Sequence, residues 1–185
     1  MKCFCEKYSD ANVQGIELVL KSINQNLKKC LTENIKICTL GLAEVRKEIR
    51  DNDLYTVPQI KAKNNIDYLN LEPLDESSFS FFYRKSAKRN FNETFNGYEQ
   101  DFSWIFWFNS RVGFNVEILQ EIVLNSLNGK RHDVIAVLGI DFGIDETWQD
   151  FDILKDKIAR FNNKNYTTFR VDFTLSYKFV NCKCE

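Results

Sequence analysis

Residues that could do chemistry are sparse in this chain. His132 is the only histidine, so no imidazole cluster can form for metal binding or paired acid–base catalysis. It directly follows Lys130 and Arg131 near the end of a predicted helix, a position typical of a solvated histidine. The sequence has no Gly-rich phosphate loop, no G-x-S-x-G element and no Cys–His signature. We therefore predict no catalytic residue and a protein that is not an enzyme.

A dense group of carboxylates is the strongest candidate for a metal site. Carboxylates so closely spaced can hold Ca²⁺ or Mg²⁺, but the Asp-x-Asp-x-Asp-Gly register of a calcium loop is missing. Phe142, Ile144 and Trp148 lie among the acids, which favours an amphipathic loop. We predict no metal and no cofactor, and a metal-dependent hydrolase is the weaker hypothesis. The acids are Asp141, Asp145, Glu146, Asp150 and Asp152.

The six cysteines include a Cys-x-Cys pair near each end of the sequence, at Cys3 and Cys5 and at Cys182 and Cys184. Structural zinc sites usually place two to four residues between paired ligands, whereas each pair here has a single residue between its cysteines. Reduced thiols are therefore the preferred interpretation, and zinc or a disulfide is the alternative.

Residues 84–100 combine positive charge with spaced aromatic rings. This is a long connection between strands, and long loops tend to be functional. It could be a solvated hairpin tip whose rings fold back on the sheet, an arm lying across a neighbouring subunit, or a grip on nucleic acid through phosphate contacts and stacking. The candidate arm or interface residues are Arg84, Lys88, Arg89, Phe91, Phe95, Tyr98 and, beyond the loop, Trp107.

The element that must position these residues is the stretch DFSWIFWFN at residues 101–109. Side chains alternate along a strand, so Phe102, Trp104, Phe106 and Phe108 share an apolar side while Trp107 lies on a mixed side. The pattern predicts a central strand whose apolar side meets the helices. If the protein assembles, we expect Trp107 to be covered by something other than those helices.

Periodicity predicts the other elements. Apolar steps of three and four predict helices over residues 13–31 and 116–127, the first capped by Asp10 or Asn12 and the second by Asn115. Residues 35–49 read as a strand followed by a short helical or extended turn. A hairpin is predicted at 54–62 and 66–71, with Pro58 on an edge strand. Further predicted strands are 78–83, a buried 134–140 and a half-buried 166–180, and a short helix is predicted at 153–161.

Together these elements predict an α+β fold in one domain, residues 1–185. Its mixed, mainly antiparallel sheet carries two main helices on one face, and residues 84–100 form a hairpin arm. The net charge of −1 excludes a global field for DNA or an anionic membrane. No stretch is apolar for the roughly 18 residues that a membrane span requires, and the N-terminus lacks an apolar signal segment, so we expect a cytosolic chain without a membrane partner.

Four segments carry a resemblance: residues 57–75 (VPQIKAKNNIDYLNLEPLD), 104–109 (WIFWFN), 147–153 (TWQDFDI) and 166–179 (YTTFRVDFTLSYKF). They and the element order resemble tail-terminator and head–tail joining proteins of tailed bacteriophages, especially those infecting gut Bacteroidetes. The sequence departs from that pattern in lacking a proline before Tyr166 and in its Cys-x-Cys termini.

The resemblance implies a non-enzymatic virion protein, made in the host cytoplasm and located in the neck or tail. It implies a homo-oligomeric ring, hexameric or dodecameric, that contacts portal, neck and tail proteins and touches channel DNA non-specifically. The alternative function is a small nucleic-acid- or protein-binding module that uses residues 84–100.

Overall fold

The computed structural model describes residues 15–31, 35, 37–50, 52–62, 67–71, 78–86, 88–94, 96–109, 115–127, 132–152 and 166–177. The order of elements is α1 (Ile16–Cys30), β1 (Cys38–Arg50), β2 (Asp53–Lys61), β3 (Tyr68–Asn70), β4 (Phe79–Arg84), β5 (Asn90–Asn92), β6 (Gly97–Asn109), α2 (Val116–Ser126), β7 (His132–Phe142), α3 (Ile144–Thr147) and β8 (Tyr166–Tyr177).

The eight strands form one sheet in the order β3-β2-β1-β4-β6-β8-β7, with β5 paired to β6. The β1–β4 pairing is parallel, and the other pairings between described strands are antiparallel. The predicted α+β fold with a mixed, mostly antiparallel sheet is therefore confirmed. Strands β3 and β7 are the two ends of the sheet, and β3 pairs with Gln59, Ile60 and Lys61 at the end of β2.

Strand β6 is the central strand that the aromatic stretch predicts. It pairs with β4 on one side and, from Tyr98 to Asn109, with β8 on the other. Its side chains Phe102, Trp104 and Phe106 are fully buried in a core with α1 and α2, whose contributions include Ile23, Leu27, Leu119 and Val123. The two main helices thus pack against one face of the sheet, as the helical stripes predict.

The opposite face of the sheet is covered by α3 and the turn that follows it. Trp148 and Phe151 are 1% and 2% exposed and pack against Phe79 and Phe81 of β4. We call residues 144–152 the cover. Because the cover excludes water from this face, polar side chains on the mixed side of β6 and β8 are buried beneath it.

Three sequence predictions about strands are wrong in part. The short helical or extended turn expected at the end of residues 35–49 is regular strand: β1 continues to Arg50, because cross-strand pairing with β2 overrides local helix propensity. Strand β7 is not buried but is an edge, with Val137, Leu138 and Phe142 about half-exposed. Strand β8 is not half-buried, since its polar side lies under the cover and Arg170 is only 1% exposed.

Smaller differences concern ends and links. Gly15 is the N-cap of α1, and residues 1–14, including the predicted caps, lie outside the described residues. Asn115 caps α2 as predicted, accepting the Glu117 N–H at 2.9 Å. Pro58 lies on β2, the second strand from the edge, just outside the β2–β3 register. The predicted helix at 153–161 lies outside the described residues.

The prediction of reduced thiols is wrong for Cys38, which is disulfide-bonded. Cys30, at the end of α1, is free and exposed.

Candidate functional site

The described part of residues 84–100 lies along the sheet. Strand β5 pairs with the first residues of β6 across a tight turn in which Asn96 has a positive φ of 52°. The Phe91 ring packs edge-to-face on Tyr98 at 5.4 Å, and the Tyr98 ring lies 6.3 Å from Tyr177 of β8. This arrangement agrees with the hairpin-tip interpretation, in which the rings fold back. Phe91 nevertheless remains 54% exposed.

The basic residues of this segment lie in different environments. Arg84 ends β4 opposite Phe102 and is partly buried, while Lys88 and Arg89 are exposed. Lys85 forms an ion pair with Asp172 of β8, with Nζ 2.5 Å from Oδ2. Phe95 lies outside the described residues. The structure therefore leaves Lys88, Arg89 and Phe91 as the exposed described members of the predicted set.

Trp107 lies inside the protein. It is fully buried, stacked on Tyr166 at 4.9 Å and edge-to-face with Trp148 of the cover at 6.4 Å. The expectation that something other than α1 and α2 covers Trp107 is met by the chain itself, so this side chain offers no surface to a neighbour.

A two-stranded ribbon extends from the sheet, made by β1 and β2. The β1–β4 register ends at Ala43 and Tyr83, and from Glu44 onward β1 pairs with β2 alone. We call residues 45–50 and 53–58 the ribbon. Its first strand alternates between two sides: Val45, Lys47 and Ile49 on one, Arg46, Glu48 and Arg50 on the other.

The polar side of the ribbon is satisfied within the chain. Arg46 donates to Glu44 at 2.9 Å and lies 3.9 Å over the Tyr68 ring, and Arg50 donates to Glu48 at 2.9 Å. Asn70 of β3 also donates to Glu48, at 3.1 Å. These contacts tie the polar side to β3 and place both arginines of the ribbon in ion pairs.

The other side of the ribbon is apolar and exposed. Ile49 is 77% exposed, and Leu54, its cross-strand partner, is 55% exposed. Val45 on the same side is 45% exposed. We call Val45, Ile49 and Leu54 the ribbon patch. A patch of this kind on a projecting element is typical of an interaction surface.

A second exposed apolar group lies at the far end of the same sheet. On edge strand β7, Val137, Leu138 and Phe142 are 45%, 55% and 48% exposed, and we call them the edge patch. The β7–β8 register shifts twice, between Val134 and Ala136 and between Val137 and Gly139. Such bulges twist an edge strand. Among the described strands β7 pairs only with β8, so its other side is an open edge of the sheet.

A buried polar cluster fills the space beneath the cover. Arg170 Nε lies 2.6 Å from Asp172 Oδ1, and Arg170 Nη1 lies 2.5 Å from Asp150 Oδ2 of the cover. Asp172 also accepts hydrogen bonds from Lys85 and from the Ser103 hydroxyl, each at 2.5 Å. The Tyr83 hydroxyl donates to Asp150. Every charged group of the cluster therefore has an opposite charge beside it.

The electrostatics of the cluster favour the charged forms. Burial opposes the charge on Asp172, but hydrogen bonds from Arg170, Lys85 and Ser103 outweigh it and lower the pKa of that carboxyl. Burial likewise opposes the charge on Arg170, yet Asp172 and Asp150 raise the pKa of the guanidinium. Near Arg84 and Arg89, burial dominates and raises the pKa of Tyr177. The cluster is thus an ionised network that fastens the cover to the sheet.

An open pocket of about 270 Å³ lies beside the cluster, lined by Val45, Tyr83, Arg84, Lys85 and Asp150. Neighbouring side chains on β4 alternate, so Arg84 points to the opposite face from Tyr83 and Lys85. The two charged groups on the pocket side, Lys85 and Asp150, are both in ion pairs. Lys85 and Asp150 of the pocket wall are therefore already held by partners within the chain.

Two acids of the acid-rich segment make structural contacts within the chain. Asp150 is bound by Arg170, and Asp152 accepts the Thr56 backbone N–H of the ribbon at 3.1 Å. Among the described residues, no group of three or more potential ligands is arranged to hold a metal ion. Asp141, Asp145 and Glu146 make no ion pair within the part of the chain that the structure describes.

Two features of this molecule escaped prediction from sequence. The ribbon was hidden by the helix-like composition of residues 43–51, although Val45, Lys47 and Ile49 alternate with Arg46, Glu48 and Arg50 as a strand requires. The buried cluster was hidden because Arg170 and Asp172 read as a solvent-facing side. Their opposite charges two residues apart were the signal for a pair on one side of a strand.

No protein-family model matches the chain, and no curated protein matches it. None of the described helices is both long enough and apolar enough to span a membrane.

Proposed function

We propose that this protein is a non-enzymatic structural subunit that assembles head-to-tail into a closed ring, of the tail-terminator or head–tail connector type, at the neck of a phage virion. In the assembly the ribbon patch of one copy docks on the edge patch of the next. The observation that carries the proposal is the placement of exposed apolar side chains. Six of the nine large ones among the described residues belong to the two patches at opposite ends of one sheet.

The symmetry of such an arrangement follows from geometry. An isologous dimer uses the same patch on both copies, whereas two different patches on one chain suit a heterologous interface. Heterologous contacts form a ring if the rotation closes, and every ribbon and every edge is then occupied. Strand β7 is eleven residues long with exposed apolar groups, and such an edge left uncovered would promote aggregation. Ring closure removes that exposure.

The location in a virion rests on the segment resemblance described above. The net charge of the chain is near zero, and the charged groups of the buried polar cluster are paired with one another. Both features agree with a structural role. Portal, neck and tail proteins are the proposed partners, and ring sizes of six or twelve follow from the same resemblance.

Oligomer mass and subunit mixing test the proposal. Native mass spectrometry of the full chain should give a closed oligomer. Ile49→Glu disables the ribbon patch and Leu138→Glu disables the edge patch, so each variant alone should be monomeric. Mixed together, they should form a one-to-one dimer and nothing larger, because one intact ribbon and one intact edge remain. A monomeric wild-type chain, or variants that still form rings, would refute the proposal.

The second candidate function is a small nucleic-acid-binding module. It is favoured by the exposed Phe91 ring close in sequence to exposed Lys88 and Arg89, a combination suited to stacking and phosphate contact. Against this function, Asp172 neutralises Lys85, which lowers the positive charge that the segment offers to phosphates. A salt titration separates it from the ring proposal and is argued below.

A further inference from the structure

The two patches of the proposed ring differ in charge. Lys47 lies on the apolar side of the ribbon, between Val45 and Ile49. It is exposed and makes no ion pair among the described residues. The arginines of the ribbon are on the other side and are held by Glu44 and Glu48. The ribbon patch therefore presents one free positive charge.

The edge patch is bordered by free negative charges. Asp141 precedes Phe142, and Asp145 and Glu146 follow it in α3. Asp145 and Glu146 are exposed and Asp141 is partly exposed. The described side chains of β7 and α3 include no cation, and Arg170 of β8, the cross-strand partner of Asp141, is held by Asp150 and Asp172. We call these three residues the acidic rim.

The spacing of the apolar groups also matches. Val45 and Ile49 are four residues apart on one strand of the ribbon, as are Leu138 and Phe142 on β7. Four residues of strand span about 13 Å, so the two residues of each pair have similar Cα separations. The bulge between Val137 and Gly139 changes the direction of the side chains there, but it changes the distance along the strand only slightly.

We propose that the occupant of the edge patch is the ribbon of a second copy of this chain, selected by contact of Lys47 with the acidic rim of that copy. The inference rests on the proposed ring and names its interface. Complementary charge bordering an apolar contact chooses the partner surface and its register, while the apolar groups supply most of the affinity. Lys47 thus opposes ribbon-to-ribbon pairing, in which like charges would meet.

Charge exchange provides the test. Lys47→Glu should weaken subunit association on the order of tenfold or more, because it sets like charges against each other. The double variant Asp145→Lys/Glu146→Lys should weaken it similarly. Combining all three substitutions should restore association to near the wild-type value. The readout is the oligomer fraction against protein concentration, measured by mass photometry and native mass spectrometry.

Matched controls separate this contact from general charge effects. Lys61→Glu alters an exposed lysine of β2 outside the ribbon, and Glu121→Lys alters an exposed acid of α2; both should leave association unchanged. Rings that form equally well with Lys47→Glu, or a triple variant without recovery, would overturn the inference and leave the ring proposal standing. A monomeric wild-type chain would overturn both.

Discussion

Arg170 and Asp172 lie two residues apart on the same side of β8, with Arg170 Nε 2.6 Å from Asp172 Oδ1, and both side chains are buried beneath the cover. A buried ion pair stabilises the protein relative to variants that lack one of its two charges. It need not be more stabilising than two apolar residues of the same shape. Here the pair has a further task, because Arg170 also holds Asp150 and so attaches the cover to the sheet.

Removing one member of this pair should destabilise the protein strongly. Arg170→Met or Asp172→Leu leaves the other charge buried with fewer partners, and each should lower the free energy of unfolding by about 3–5 kcal/mol. The double variant should lose less than the sum of the two. Urea denaturation measures all three. Arg46→Met, which breaks the exposed Arg46–Glu44 pair, is the control and should cost far less, because solvent screens an exposed ion pair. Equal small losses at both sites would contradict a buried network.

The same pair predicts a pH dependence of stability. The folded-state pKa of Asp172 lies below the unfolded-state value of about 3.9, so the folded protein binds fewer protons in this range. Its contribution is complete above that pH and is lost as the pH falls through the folded-state pKa. The stability difference between wild type and Asp172→Asn should therefore be constant from about pH 5 to 8 and shrink below about pH 4. Chemical denaturation at each pH measures it.

Asp53→Asn, at the exposed tip of the ribbon, controls for the loss of one negative charge. A difference that persists unchanged at low pH would mean that Asp172 acts through its shape and not through its ionised form.

The backbone at the start of the cover requires glycine. Gly143 has φ 93° and ψ 160°, a region that residues with a Cβ rarely occupy, and a Cβ there would lie 2.5 Å from Glu146 Oε2. Glu146 can rotate away, but the backbone strain remains. Gly143→Ala should cost about 1–3 kcal/mol of stability. Gly41→Ala in β1, where a Cβ meets nothing within 4 Å, should change it by less than about 0.5 kcal/mol. Thermal melts of both variants compare the two sites, and equal melting temperatures would contradict the strain.

Much of the fold follows from local pattern. The apolar stripes of α1 and α2 and the alternation of β6 were sufficient to predict these elements. Each has one wholly apolar side, which is buried in the core. Prediction failed where tertiary context decides. Residues 46–50 have helix-forming side chains, and β2 makes them a strand. The polar side of β8 reads as solvated, and only the cover, held by Asp150, makes it an interior. For β7, an apolar run gives no indication of whether the strand lies inside the sheet or at its edge.

The candidate site was predictable in type more than in place. A projecting hairpin was expected, but from the basic segment at 84–100. An apolar arm is harder to recognise in a sequence than a charged one. Val45, Ile49 and Leu54 are isolated from one another along the chain, and each resembles a core residue. Trp107, expected to need a cover, finds it in Trp148 and Tyr166 of the same chain.

The basic and aromatic residues before β6 give the last prediction. If the chain is a ring subunit, Lys88→Glu/Arg89→Glu should leave oligomer mass unchanged, because these exposed residues belong to neither patch. Fluorescence anisotropy with a single-stranded oligonucleotide should show weak binding at about 0.15 M salt, since Asp172 neutralises Lys85 in this segment. Strong binding with a steep salt dependence, lost in the double variant, would instead support the nucleic-acid-binding module. Phe91→Ala then identifies stacking: it should lower oligonucleotide affinity with little change in the salt slope, because it removes a ring contact and no charge.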